Sequence, residues 1–129
     1  MSYNLSLRTK TIDGELNIFD SSSIRWVTGG VTLDHTKVTA VDGKKILKIG
    51  QPLGKITATG KYGPYDKDAT DGRETAVVLL GETVDFALGN GEFGDQVATA
   101  FDWARVIEAR LPVAVDATAK GQLSNITFV

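Results

Sequence analysis

The sequence predicts a mainly β fold with minor helix, and three observations carry that expectation. Short runs of β-branched and aromatic residues alternate with polar ones. Asp-Gly and Gly-Gly pairs punctuate the first fifty residues at the spacing of tight turns. No stretch holds a helical repeat without also fitting a strand. With 129 residues, 42% of them hydrophobic, the chain is the size of one domain able to build a core.

Tyr3, Leu5 and Leu7 alternate with polar residues, and Ile12, Leu16 and Ile18 flank Asp13-Gly14, which reads as a β-ribbon closed by a tight turn. Ser21-Ser22-Ser23 makes a polar break. Trp26-Val27 and Val31-Thr32-Leu33 then lie either side of Gly29-Gly30, as a second hairpin would place them. Val38–Val41 and Ile46–Ile49 bracket Asp42-Gly43 in the same way. Isolated hairpins are marginal in water, so this first part is expected to pack on another surface.

Ile56–Thr59 reads as a strand, Gly60–Gly72 as a long polar loop, and Thr75–Leu80 as a short buried strand ended by Gly81. Val84, Phe86 and Leu88 alternate as a further strand over Thr83–Leu88, followed by a loop at Gly89–Gly94. Gln96–Leu111 fits both periods. The surrounding β pattern and the proline after Leu111 favour a strand ending in a short helical turn. Asp116–Lys120 predicts about one helical turn, stopped at Gly121, before a terminal strand at Ile126–Val129.

Charge and composition exclude several function classes. Fourteen basic and 16 acidic residues give a net charge of -2, which leaves no basic face for phosphates, so no nucleic-acid partner is expected. Residues 1–50 hold seven Lys/Arg against five Asp/Glu and residues 51–129 hold seven against eleven, or +2 against -4, which suggests different partners for the two parts. Cysteine is absent, and with it disulfides, thiolate metal sites and cysteine nucleophiles, as suits a reducing compartment. Met1–Lys10 has no signal-peptide run, and no segment approaches the roughly 20 apolar residues of a spanning helix. A soluble, unsecreted chain without a membrane partner is the expectation.

The residue patterns that imitate reactive sites have simpler structural explanations. Gly89, Gly91 and Gly94 match the glycine spacing of a dinucleotide loop, but Glu92 and Asp95 would oppose a pyrophosphate and no βαβ unit surrounds them. Asp66, Asp68 and Asp71 with Gly72 resemble part of a calcium loop without its twelfth-position glutamate. His35 is the single histidine, and none of Ser2, Ser6, Ser21, Ser22, Ser23 or Ser124 lies on a nucleophile elbow. Asp71 and Glu74 are a carboxylate pair that nothing distinguishes from solvated loop acids. Trp26, Tyr62, Tyr65 and Trp103 could form a carbohydrate platform, although two of the four are expected in core or subunit-contact positions. No catalytic residue, cofactor or metal follows from these patterns.

One order of motifs is distinctive. Gln51-Pro52-Leu53-Gly54-Lys55-Ile56-Thr57 leads to Gly60-Lys61-Tyr62, then Tyr65-Asp66, Ala69-Thr70-Asp71-Gly72, an apolar run ending Leu79-Leu80, and Val106–Pro112. Over about residues 46–129 this resembles the head decoration proteins of tailed bacteriophages, the lambda-type capsid-stabilising group, most specifically in Tyr65–Leu80. Trp103-Ala104 departs from that group, which usually has a glycine before the acidic-aliphatic stretch.

The resemblance implies a compact β-tulip or barrel-like decoration domain over 46–129, with residues 1–45 as an N-terminal arm and hairpin extension. It further implies a homotrimer that cements the expanded head at three-fold and quasi-three-fold positions. The partners are then the major capsid protein and the chain itself, and the location is the outer capsid surface after assembly in the host cytoplasm. Tyr3, Asn4, Leu5, Ser6 and Leu7 are the candidate capsid-binding residues, because an alternating strand can extend an exposed sheet edge. The competing readings are a virion-displayed glycan or host-surface binding module, and a tail or adaptor structural protein.

Overall fold

The computed structural model describes residues 17–129. The Tyr3–Leu7 alternation and the Asp13-Gly14 turn therefore lie outside the described residues. Ten short strands run β1 (Arg25–Trp26), β2 (Val31–Leu33), β3 (Ile46–Leu47), β4 (Pro52–Lys55), β5 (Tyr62–Pro64), β6 (Val78–Leu80), β7 (Val84–Asp85), β8 (Gln96–Ala98), β9 (Ala100–Val106) and β10 (Ile126–Phe128). Among the described residues there are also one helix, α1 (Ala117–Gln122), and two 3-10 turns at His35–Lys37 and Glu108–Arg110, so the mainly β expectation with minor helix holds.

Eight strands form one mixed sheet in the order β1-β9-β6-β4-β5-β2-β8, with β10 also beside β9; β3 and β7 pair separately. The pairs β2–β5 and β9–β10 are parallel and the others antiparallel. Thr99 alone separates β8, at one end of this order, from β9, next to the other end. The sheet must therefore curl until its two ends approach, which gives a barrel-like body that is not a closed barrel.

Two buried clusters stabilise this body. Val31, Leu33, Leu53, Val78, Leu80, Ala98 and Ala100 of the large sheet meet Leu47 and Val84 of the small one and Phe86 just after it. Against the other side, Leu79, Phe101, Ala104 and Val106 pack with Ile18, Ile49, Ala119, Leu123 and Ile126. All three residues of β6 are buried because the strand has a cluster on each face. The strand expected at Thr75–Leu80 is confined to these three residues, and Val77 just before them is exposed.

The long strand β9 serves both clusters through a bulge. Arg25 and Trp26 are adjacent on β1 but lie opposite Trp103 and Phe101, so β9 carries one extra residue, Asp102. Arg25 Nε donates to Asp102 Oδ1 at 2.8 Å across this irregularity. The bulge resets the alternation, burying Ala104 and Val106 while Trp103 and Arg105 face solvent. A strict period of two through Gln96–Leu111 groups Phe101 with Trp103 and misses this change. The predicted helical end is present at Glu108–Arg110, and Leu111 is extended as its following proline requires.

Several local expectations are corrected. Gly29-Gly30 does turn the chain, with Gly30 N–H donating to Val27 O, but β1 then pairs with β9 and β2 with β5 and β8. The β1–β9 pairing brings the Trp26 ring edge-on to Phe101, at 5.7 Å between centroids, a contact the local hairpin would not make. Asp42-Gly43 is a left-handed pair, as its turn requires, yet only Val41 and Lys44 bridge across it. Ile46–Leu47 joins β7 instead.

The strand expected at Ile56–Thr59 lies four residues earlier, at Pro52–Lys55. Gly60 N–H closes back on Ile56 O and makes 57–59 a turn. The supposed polar loop Gly60–Gly72 contains β5, whose Gly63-Pro64 disguises it as a turn. Only Val84–Asp85 of Thr83–Leu88 is strand, and Leu88 is exposed. Gly121 does not stop the helix, which runs to Gln122 with Leu123 at its end; Asp116 caps its start through Oδ1, which accepts from Ala119 N–H at 2.7 Å.

Candidate functional site

The segment Tyr65–Thr75, the most distinctive part of the sequence, is a folded-back loop on β4 and β5. Its backbone is tied down at both ends: Tyr65 N–H donates to Pro52 O, Asp66 N–H to Arg73 O, and Thr57 N–H to Asp71 O. Gly72 occurs because φ is +116° and the Lys55 carbonyl lies where a side chain would start. Gly54 on β4 has a second such contact, with the Arg73 Cα only 2.5 Å from the place a Cβ would take. The Thr70-Asp71-Gly72 pattern is thus a packing requirement.

Asp71 holds this loop electrostatically. Arg73 donates to it from its backbone N–H and from Nε, at 3.1 and 3.0 Å, and Lys37 Nζ approaches to 3.6 Å from the 3-10 turn after β2. Burial pushes the Asp71 carboxyl up, but the hydrogen bonds from Arg73 with the charges of Arg73 and Lys37 outweigh it and hold the group below the ordinary aspartate range. Glu74 accepts from Gly72 N–H, and Asp66 accepts from Asp68 N–H. These carboxylates secure turns. Among the described residues, no group of three His, Cys, Asp or Glu side chains is placed to hold a metal.

Tyr65 packs on the cluster that includes Leu79 and Phe101, and its hydroxyl is buried beside Asp116 without a well-aligned hydrogen bond. Burial, then the charge of Asp116, pushes its ionisation above the ordinary tyrosine range. Tyr62 packs on the other cluster. Two of the four aromatic platform candidates therefore serve the cores, while Trp26 and Trp103 are 44% and 46% exposed. The four do not form one platform.

His35 belongs to a surface network. Its backbone N–H donates to Asp95 Oδ1 at 3.0 Å, Lys61 Nζ donates to Asp95 Oδ2 at 2.7 Å, and Lys45 Nζ donates to the His35 carbonyl at 3.0 Å. The Lys61 hydrogen bond, followed by that of the His35 backbone, holds the Asp95 carboxyl below its ordinary range. No serine takes part. The arrangement joins β2, β5 and the approach to β8, and contains no nucleophile.

Gly89–Gly94 forms the end of a β-loop. Ala87 bridges Phe93, Leu88 N–H donates to Glu92 O, and the chain continues into β8 with no helix after the glycines. A pyrophosphate loop needs that helix. The candidate residues Tyr3, Asn4, Leu5, Ser6 and Leu7 lie outside the described residues. Among the described residues, no helix is long and apolar enough to cross a membrane.

Sequence reasoning missed a groove where three separated segments meet: Ser21–Ser23, the outward face of β9 at Trp103 and Arg105, and Ser124–Thr127. The only sequence signal for it was that two serine-bearing breaks precede strands; their convergence depends on Phe19 and β10 both joining β9 near Val106.

Among the described residues, a glycine-directed loop, a curled sheet and carboxylates engaged in structural contacts bring no set of reactive groups together. A comparison with curated proteins finds no match. The family model for the bacteriophage lambda head decoration protein D matches residues 28–122, from the Gly29-Gly30 turn to the end of α1. The match includes the Tyr65–Leu80 segment and most of the curled sheet, and reaches further toward the N-terminus than the resemblance over 46–129. The chain belongs to the bacteriophage lambda head decoration protein D family and is a structural protein that decorates the phage capsid, not an enzyme.

Proposed function

We propose that the protein cements the expanded phage head as a homotrimer at three-fold and quasi-three-fold positions. The observation that carries this reading is the family match over 28–122. A rigid body that binds only the mature lattice stabilises that lattice by mass action, and several weak contacts within one trimer reinforce one another. The partners are the major capsid protein and two further copies of the chain. Assembly takes place in the host cytoplasm and leaves the protein on the outer capsid surface.

In this proposal, Tyr3, Asn4, Leu5, Ser6 and Leu7 contact the shell by adding a strand to an exposed sheet edge. Backbone hydrogen bonds would supply affinity and the alternating Tyr3, Leu5 and Leu7 would supply fit. Residues 1–45 remain the proposed source of capsid specificity and 46–129 the decoration domain; β1 and β2, from the first part, are also strands of the shared sheet.

Purified protein mixed with expanded and unexpanded heads should bind the expanded form in multiples of three. Binding to neither form, or a stoichiometry that excludes trimers, rejects the cementing reading. Deletion of residues 2–10 should reduce occupancy, and full occupancy by the truncated chain removes the arm from the model.

A further inference from the structure

The groove beside Trp103 has the chemistry of a small ligand site. It encloses about 360 Å³, within the range of small-molecule pockets. Trp103 supplies an apolar surface, with its side chain on the outward face of β9 and the residue 46% exposed. Ser21, Ser23, Asn125 and Thr127 surround it with hydroxyl and amide groups. Three of these, Ser23, Asn125 and Thr127, are exposed and offer a hydroxyl, an amide and a hydroxyl to the groove. They are available as both donors and acceptors.

The one charged group in the lining is already neutralised. Arg105 Nε donates to Asp20 Oδ2 at 2.6 Å, and among the described residues no further Lys, Arg, Asp or Glu lines the groove. An anion would compete with Asp20 for that guanidinium, and a cation would find no free carboxylate. A neutral ligand with an apolar face and several hydroxyls satisfies both halves of the lining, because an indole surface packs against ring C–H groups while Ser, Thr and Asn exchange hydrogen bonds with hydroxyls. We infer that the Trp103 groove binds a neutral saccharide ring, giving the capsid-bound protein a glycan-contacting site on strands β9 and β10.

The fold supports this assignment. β9 and β10 run parallel with Arg105 opposite Thr127, and the bulge at Asp102 turns Trp103 away from the Phe101 cluster toward solvent. Trp26, by contrast, packs edge-on against both Phe19 and Phe101. Of the chain's two tryptophans, Trp103 alone lines the groove.

The test uses the full chain and four probes: the methyl glycosides of glucose, galactose and mannose, and N-acetylglucosamine. A Trp26→Phe variant leaves Trp103 as the fluorescent reporter. At least one probe should change that emission saturably at millimolar concentration. Trp103→Ala should weaken binding, read by ligand-observed NMR, by about tenfold or more, while its thermal midpoint falls by no more than a few degrees and its capsid occupancy stays at the wild-type value. Thr127→Val should also weaken binding, providing a second variant should Trp103→Ala fold poorly.

Absence of saturable binding by all four probes overturns the inference. So does equal binding by Trp103→Ala, or protection of Trp103 from a soluble quencher in the free protein. Loss of capsid occupancy in Trp103→Ala would assign the surface to the shell instead. Because occupancy is measured separately, failure of sugar binding leaves the cementing proposal intact and failure of cementing leaves the saccharide result readable.

Discussion

The carbonyl oxygen of Lys55 lies against Gly72 so closely that a Cβ added to the glycine would stand 2.1 Å from it. The contact locks the Tyr65–Thr75 loop onto β4, and the left-handed φ of +116° leaves no relaxed position for a side chain. Gly72→Ala should therefore destabilise the protein by about 3 kcal/mol through backbone strain and overpacking together. Gly121→Ala is the counterpart: this exposed glycine lies inside α1 with nothing near its missing Cβ. It should gain about 0.5–1 kcal/mol. Urea unfolding of both variants checks the pair, and equal stabilities would contradict the account of the loop.

Phe101 and Trp103 stand two residues apart on β9 with opposite fates, fully buried and half exposed. Phe101→Ala should cost about 3–5 kcal/mol, the range for removing a buried aromatic side chain. Trp103→Ala should cost about 1 kcal/mol or less, because little packed surface is lost. Comparable losses at the two positions would show that the Asp102 bulge does not divide them as described.

Asp95 gives stability a defined acid dependence. Its folded pKa lies below its unfolded one, first through the Lys61 hydrogen bond and then through the His35 backbone. Its contribution is therefore complete above the unfolded value of about 3.9 and is lost as pH falls through the lower folded value. Asp95→Asn should lower stability at pH 7 and flatten the fall on the acid side. Unfolding midpoints at pH 7, 4 and 3 measure this, and parallel curves for the two proteins would exclude the linkage.

Tyr65 predicts a substitution without penalty. Its buried hydroxyl makes no well-aligned hydrogen bond and has only an electrostatic contact with Asp116, so Tyr65→Phe removes a desolvated polar atom and keeps the ring in the cluster. Stability should stay level or rise by about 1 kcal/mol. A loss of more than about 1 kcal/mol would mean that the hydroxyl has a hydrogen-bond partner in solution.

The curled sheet depends on partners distant in sequence. Trp26 pairs with Phe101, Leu33 with Tyr62, and Ile126 with Ala104. The turn at Gly29-Gly30 was legible because glycine permits positive φ, but turn chemistry does not specify which edge each flanking strand will find. β5 stayed hidden because Gly63 and Pro64 are local turn signals. They are accommodated there by close packing with Arg73 and Lys37 and by pairing with β4.

By itself the sequence determined the β class, the absence of cysteine chemistry, a buried strand ending at Leu80, and the Thr70-Asp71-Gly72 loop that points to the decoration family. These are local matters of side-chain period, residue chemistry and backbone freedom. Only the tertiary structure decided that β8 and β9 turn the sheet back toward itself, that Asp102 shifts the alternation of β9, and that Trp103 faces Ser23, Asn125 and Thr127 across one groove. Those outcomes depend on which distant strands bury the most apolar surface together, a competition that no short stretch of sequence encodes.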